Sequence, residues 1–343
     1  MKKCKKCYLP ETYPNTSFNE KGICNYCSDE IFIVGETGNE KISKEKKDQL
    51  KKDFENLIKK SKGKSKYDCL LLFSGGKDSS YLLYLLTKKY KLKVLTVTVD
   101  NGLESPLAKS NINKIVKYFN VDHIFSKPKK SFLQKFYKYF ITHINNQSYC
   151  ERVCYVCQEL IFSTGIKIAV DKKIPFIILG YSPDQAGTNE FLYWKNPDGF
   201  IPKELYDKPF DEEDRAYFWR PETEKKQKLP RFILPFYFLE YPGVEKIIKI
   251  LNKLGLGSAN DFDQLKTNCH LNWLLMRLDA IKKGYVHYVP YVCSQIRSGK
   301  IKQRKKYFIV LTLGIWLLKH GFVKRKYMTQ ALRFLGLKFN EIQ

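Results

Sequence analysis

The stretch that decides the fold is Asp68-Cys69-Leu70-Leu71-Leu72-Phe73-Ser74-Gly75-Gly76-Lys77-Asp78-Ser79-Ser80, continued by Tyr81-Leu82-Leu83-Tyr84-Leu85-Leu86. A short apolar run, a Ser-Gly-Gly break and a second apolar run read as strand, loop and helix. Two glycines after a strand let the backbone come close to an anion. The helix that follows aims its unpaired N–H groups and its positive dipole end at that anion. Ser74, Ser79 and Ser80 add hydroxyl donors. The glycine spacing is not that of a Walker A loop.

Outward from this point the alternation continues. Residues 94–99 form a β-branched run ending at Asp100-Asn101-Gly102, and 111–118 read as helix. Residues 121–125 read as a third strand, 164–170 as helix and 176–179 as a fourth strand ending at Gly180. Strands alternating with helices imply an α/β fold, a doubly wound parallel sheet that binds ligands beyond the strands' C-terminal ends. Residues 193–235, rich in Pro, aromatic and charged residues, read as a long loop or lid. From Pro242 the chain is mostly helical, over 244–254, 270–283, 305–320 and 324–335. Upstream, Leu50, Phe54, Leu57 and Ile58 recur at helical spacing. The expected division is a zinc ribbon over 1–30, a connecting helix over 31–66, a nucleotide-binding domain over 67–240 and a helical region over 241–343.

The chain has 343 residues, 43% of them hydrophobic, which supplies a packed core and excludes disorder as the main state. No apolar run reaches the roughly 18 residues of a membrane span. The longest, 308–318, is interrupted by Thr312 and Gly314. The start, Met1-Lys2-Lys3-Cys4, carries no signal-peptide pattern. The expectation is a cytoplasmic protein without a membrane partner, its thiols reduced. With 61 Lys+Arg against 35 Asp+Glu, the net charge is +26. The densest cluster is Arg297, Lys300, Lys302, Arg304, Lys305 and Lys306. It reads either as a grip on a polyanion such as nucleic acid or as the solvated face of a lysine-rich chain.

Ten cysteines fall into groups. Cys4, Cys7, Cys24 and Cys27 are spaced C-x2-C-x16-C-x2-C, two close pairs that can close a tetrahedral shell around Zn²⁺. Pro10, Pro14, Asn19 and Gly22 between them suit a turn-rich ribbon held by metal. Cys69, inside an apolar strand, reads as core, and Cys150 has no assigned role.

Residues Ser74 to Ser79 resemble the SGGxDS loop of the PP-loop ATP pyrophosphatases, whose fold is HUP-like and which cleave ATP between its α and β phosphates. The resemblance implies ATP and Mg²⁺ as cofactors. It places Ser74, Gly75, Gly76, Lys77, Asp78, Ser79 and Ser80 at the nucleotide, with Asp100 at the end of the strand beside the adenine. Leu179-Gly180-Tyr181-Ser182-Pro183-Asp184-Gln185 resembles the family's Gly-His-Asn-x-Asp-Asp loop. Tyr181 stands at the His position and Gln185 at the final acid, while Asp184 keeps a carboxylate. By this resemblance Gly180 binds nucleotide, and Asp78 and Asp184 are catalytic on the Mg²⁺–pyrophosphate side. In the family a carbonyl oxygen of the acceptor attacks the α-phosphorus, and the adenylated product loses AMP to a nucleophile.

Two subfamilies then compete for that nucleophile. Cys154-Tyr155-Val156-Cys157, placed before a helix, resembles the iron–sulfur-dependent tRNA thiolation enzymes. This implies a [4Fe–4S] cluster on Cys154, Cys157 and a third cysteine, Cys269 or its rival Cys293. The implied partners are tRNA or a small-molecule acceptor, a sulfide donor and a second copy of the chain. The two ends of the sequence point elsewhere. Cys4-Lys5-Lys6-Cys7-Tyr8-Leu9-Pro10, Phe18-Asn19-Glu20-Lys21-Gly22-Ile23-Cys24 and Ser294-Gln295-Ile296-Arg297-Ser298-Gly299-Lys300-Ile301 resemble the N-acetyl sugar amidotransferases of surface-polysaccharide synthesis. These use ammonia to turn an acetamido into an acetamidino group. Lys77 and the central CxxC depart from that second pattern, so sulfur transfer is the leading expectation and nitrogen transfer the alternative.

Overall fold

The computed structural model describes residues 1–28, 43–144, 147–181, 201–220, 229–263, 269–297, 299 and 301–342. They form two compact units. One joins Met1–Thr37, Gln134–Tyr155 and His270–Gln343; the other joins Gly38–Leu133 and Val156–Cys269.

The second unit holds a five-stranded sheet: β1 Cys69–Leu72, β2 Val94–Val99, β3 Asp122–Ser126, β4 Phe176–Leu179 and β5 Arg231–Ile233. Its order is β3-β2-β1-β4-β5 and every neighbouring pair is parallel. In register, Leu70 lies between Leu95 and Ile177, and Leu72 between Val97 and Leu179. All residues of β1, β2 and β4 are buried, as a sheet covered on both faces requires. The chain leaves β1 toward β2 on one side and later returns as β4 on the other. The topological switch point therefore lies between β1 and β4, where such sheets bind ligands.

Local chemistry sets the crossovers. Ser105 caps the helix Pro106–Phe119, its Oγ accepting from Ala108 N at 3.1 Å, with Pro106 pre-set in the first turn. Asn120 ends that helix at φ +50°, a backbone state Asn tolerates. The helix Lys44–Ser61 does more than connect. Phe54 is fully buried against Phe238 and Tyr90, with centroids 5.5 Å away in each case. Truncating it to Ala is expected to cost about 3–5 kcal/mol.

Three features depart from the sequence reading. The expected loop over 193–235 contains β5, whose Phe232 and Ile233 are buried; a strand of three residues is too short to show alternation. Helices also form over Lys130–Thr142 and Tyr288–Arg297, outside the elements read from the sequence; in the first, Phe132, Leu133, Phe136, Tyr137, Phe140 and Ile141 are buried at helical spacing. Finally, the helix read at 164–170 begins far earlier, as Tyr149–Asp171, so the CxxC lies inside a helix rather than before one. The reason is tertiary. In the first unit the buried Asp279 carboxylate accepts from Ser148 Oγ and Tyr149 N, each at 2.7 Å, and from Cys150 N at 3.2 Å. A side chain 130 residues away thus satisfies the helix's first N–H groups.

This helix is long and apolar enough to cross a membrane by length and composition, although no single unbroken apolar run reveals it. Its Val156, Leu160, Phe162, Ile166 and Ala169 are instead buried in protein.

The rest of the first unit is a turn-rich N-terminal segment and the helices His270–Lys282, Tyr288–Arg297, Arg304–Lys319 and Arg325–Leu335. Bridges Lys3 to Pro10 and Phe18 to Cys24 shape the segment. Tyr8 meets Phe308 at 4.4 Å between centroids, and Thr12 Oγ1 donates to Lys283 O at 2.5 Å.

Candidate active site and cysteine sites

The Ser74–Ser80 loop leaves β1 at the switch point. Gly75 has φ +69°, and a Cβ there would sit 2.7 Å from Ile112 Cγ1, so only glycine fits. Gly180, which follows β4, comes so close to the loop that a Cβ would lie 2.8 Å from Ser79 Cα. The two loops therefore abut at the C-terminal edge of the sheet. Gly76 begins the helix Lys77–Tyr84 with no side-chain cap, which leaves its first N–H groups for an anion. The serines brace the turn: Ser74 Oγ is 3.2 Å from Ser79 Oγ, and Ser80 Oγ donates to Gly76 O at 2.7 Å.

Lys77 and Asp78 form a buried ion pair. Lys77 Nζ is 2.7 Å from Asp78 Oδ2, with side chains 10% and 11% exposed. Asp78 Oδ1 accepts from Tyr241 OH at 2.8 Å. Sequence reasoning missed Tyr241, because it lies 163 residues away in a short connection with no motif of its own.

At the end of β2, Asp100 pairs with Lys109 Nζ at 3.0 Å and accepts from Gly102 N at 2.9 Å. Beside it stands Glu104, also missed, whose buried Oε2 has no hydrogen-bond partner among the described residues. Burial first, and the Asp100 charge second, push its carboxyl up to about 7, with Lys109 opposing. A carboxyl in that state can accept or release a proton near neutrality.

After Gly180, Tyr181 is half-buried; burial and then the neighbouring Cys157 thiol raise its phenol. Cys154, one turn earlier on the same helix, is exposed, and the i, i+3 spacing puts both thiols on one face. Cys269 is half-buried immediately before the helix His270–Lys282. Asp184, with Ser182, Pro183 and Gln185, lies outside the described residues.

The N-terminal quartet converges. The four Sγ atoms lie within 4.8 Å of one another, and Cys4, Cys7 and Cys24 are buried. Cys4 to Cys27 is 3.8 Å and Cys7 to Cys24 is 3.7 Å. Sulfurs about 2.3 Å from a tetrahedral zinc are about 3.8 Å apart, so these thiols fit that ion. Hydrogen bonds from the neighbouring thiols, that of Cys24 first, lower Cys4 to about 6 and pull Cys7 down as well. Cys24 N donates to Cys4 Sγ at 3.3 Å, and Arg297 Nη1 to Cys7 Sγ at 3.2 Å, both suited to thiolate. Cys293 is buried, and the neighbouring Cys7 thiol first, then burial, push its own thiol up, which places that rival ligand beside the quartet.

Residues 68–165 match the family model described as the phosphoadenosine phosphosulfate reductase domain, which is of the PP-loop superfamily. That stretch holds the Ser74–Ser80 loop and β1 to β3, and the match supports the PP-loop superfamily for it. An uncharacterised protein of Methanocaldococcus jannaschii is 42% identical over 78 residues, 22% of this chain and 27% of that protein. The match therefore spans about a quarter of the relative's length. Among solved structures, the U34-tRNA thiolase NcsA from Methanococcus maripaludis with its [4Fe–4S] cluster is 16% identical, covering 98% of this chain and 89% of that one, with TM-score 0.35. The NH3-dependent NAD synthetase from Campylobacter jejuni is 12% identical, covering 86% and 97%, with TM-score 0.38. At such scores neither likeness carries an argument for function.

Proposed function

We propose that the protein adenylates an acceptor carbonyl with ATP, releasing AMP and pyrophosphate, and then transfers sulfur to it, with tRNA as the acceptor. The observation that supports this reading is the abutment of Gly180 on Ser79, which brings the end of β4 onto the phosphate loop, with Cys154 and Cys157 on the helix that leads into β4. The helix N-terminus at Gly76 and the serine hydroxyls hold phosphate oxygens. Lys77 would leave Asp78 for the phosphates, and Asp78, together with Asp184 by the resemblance, would hold Mg²⁺, whose hard charge suits carboxylate oxygens. Glu104, at the end of β2, takes a proton from the acceptor. Cys154, Cys157 and Cys269 would hold a [4Fe–4S] cluster, which supplies an iron open to hydrosulfide; the all-thiol donor set and the shared helix face of the first two suit it. Cys4, Cys7, Cys24 and Cys27 would hold zinc as a structural ion.

The test is anaerobic purification with iron, acid-labile sulfide and zinc quantified, alongside product analysis with ATP. Iron and sulfide with AMP and pyrophosphate support the proposal. ADP in place of AMP overturns the nucleotide chemistry, and zinc without iron overturns sulfur transfer.

One contact favours nitrogen transfer to an N-acetyl sugar as the second reading. The two terminal stretches resembling the sugar amidotransferases meet each other, through Arg297 and Cys7. Zinc alone, with ammonia-dependent release of AMP from a nucleotide-linked N-acetyl sugar, would select it.

A further inference from the structure

The helix Arg304–Lys319 is apolar on two opposite faces. Phe308, Leu311, Thr312 and Ile315 face the N-terminal segment, where they line a small cavity with Tyr8 and Pro10. Lys3 Nζ reaches Thr312 Oγ1 at 3.2 Å on that side. About half a turn round, Ile309, Val310, Leu313 and Trp316 are 63%, 59%, 54% and 50% exposed. They recur at i, i+1, i+4 and i+7, one stripe of a helix. Phe322, 68% exposed, extends the stripe beyond the helix end, stacked on Trp316 at 5.6 Å, with His320 4.8 Å from the Trp316 ring. A helix that is apolar all round is ordinarily buried all round, so the outer stripe lacks its cover.

The charge around the stripe says what covers it. Between Asp279 and Glu341 the chain has 14 Lys or Arg and no Asp or Glu. Arg304, Lys305 and Lys306 stand exposed at one end of the helix, and Lys319 at the other. Two copies meeting through this stripe would press these like charges together. Phosphates of RNA would satisfy the lysines but leave Ile309, Val310 and Leu313 against a polar chain. An anionic bilayer meets both needs. Acyl chains take the aliphatic residues, the interfacial zone takes Trp316 and Phe322, and headgroup phosphates take the flanking cations.

We propose that the outer face of the helix Arg304–Lys319, with Phe322, is a docking surface for anionic lipid, holding the protein reversibly at a membrane without spanning it. The expectation of no membrane partner rests on span length, which interfacial binding does not need. The proposal is independent of the nucleophile at the active site.

The test is co-sedimentation of the full chain with vesicles of phosphatidylcholine alone or of an equimolar mixture of phosphatidylcholine and phosphatidylglycerol, at near-physiological salt. Wild type should bind the anionic vesicles about tenfold or more tightly than the neutral ones. Leu313→Gln with Trp316→Gln should lose about a hundredfold of that affinity, with an unchanged melting temperature because both side chains are exposed. Lys305→Gln with Lys306→Gln should lose about tenfold. Absence of binding to anionic vesicles overturns the proposal. So does binding that the lysine pair abolishes and the Leu313/Trp316 pair leaves intact, which marks unspecific charge. A dimer that the Leu313/Trp316 pair dissociates makes a second copy the occupant and overturns it too.

Discussion

The N-terminal quartet and the crevice between β1 and β4 are built on opposite principles. The quartet is complete within its own segment: four thiols converge at tetrahedral spacing, with backbone and Arg297 donors already aimed at them. The crevice is unfinished. Its lysine is spent on Asp78, and at the end of the neighbouring β2 a buried Glu104 oxygen has no hydrogen-bond partner among the described residues. A site made to hold a fold together satisfies itself. A site made to process a ligand leaves groups paired provisionally or not at all until the ligand arrives.

The largest effect should come from breaking the quartet. Cys7→Ala is expected to bring zinc from one per chain to background and to lower the melting transition by several degrees; metal analysis and calorimetry check this. A variant that keeps both zinc and stability would erase the contrast. Next, Asp78→Ala should cut AMP and pyrophosphate production by about 10³-fold while the fold survives, measured as initial rates with labelled ATP. Cys154→Ala sharpens the comparison further: sulfur transfer is lost, but melting stays within error of wild type, because the thiol is exposed. If it destabilises as much as Cys7→Ala, the division into structural and reactive thiols is wrong.

Two smaller effects probe the crevice alone. Gly180→Ala forces a Cβ onto the Ser79 backbone and should cost about 1–3 kcal/mol together with nucleotide affinity, read by titration calorimetry. Glu104 gives a pH signature. Its folded value, about 7, stands above the ordinary 4.5, so the folded state binds the extra proton. Stability is therefore lost as pH rises from about 4.5 through about 7. Glu104→Gln should flatten that slope and stabilise the protein by on the order of 2 kcal/mol at pH 8, measured by denaturant titration across the range. An unchanged slope would reassign the raised carboxyl to another group.

Much of this was legible locally. The apolar run before Ser74, the β-branched run over 94–99 and the glycines show β1, β2 and the loop, because a fully buried parallel strand advertises itself by composition. The convergence of the four N-terminal thiols is legible too, because two close cysteine pairs are the spacing that turn-built metal sites need. What stayed hidden depends on distant partners. Asp279 starts the helix Tyr149–Asp171 from far along the chain, Tyr241 completes the cradle of Asp78, and β5 is too short to show a period. Glu104 looks like any surface glutamate until its burial is known.

The Lys77–Asp78 pair has a further consequence, for selectivity and turnover. An anion that recruits Lys77 must first separate opposite charges held 2.7 Å from each other in a largely dry site, a cost of about 3–5 kcal/mol. Inorganic phosphate brings too few contacts to offset that cost, whereas a triphosphate chain lying along the loop brings many. Millimolar inorganic phosphate is therefore expected to leave ATP binding unchanged in a competition titration. In the proposed reaction, cutting the bond between the α and β phosphates would free the pyrophosphate from its tether to the nucleoside. The waiting carboxylate would then compete with it for the ammonium, so the resting pair would act as a return spring that favours departure of the product.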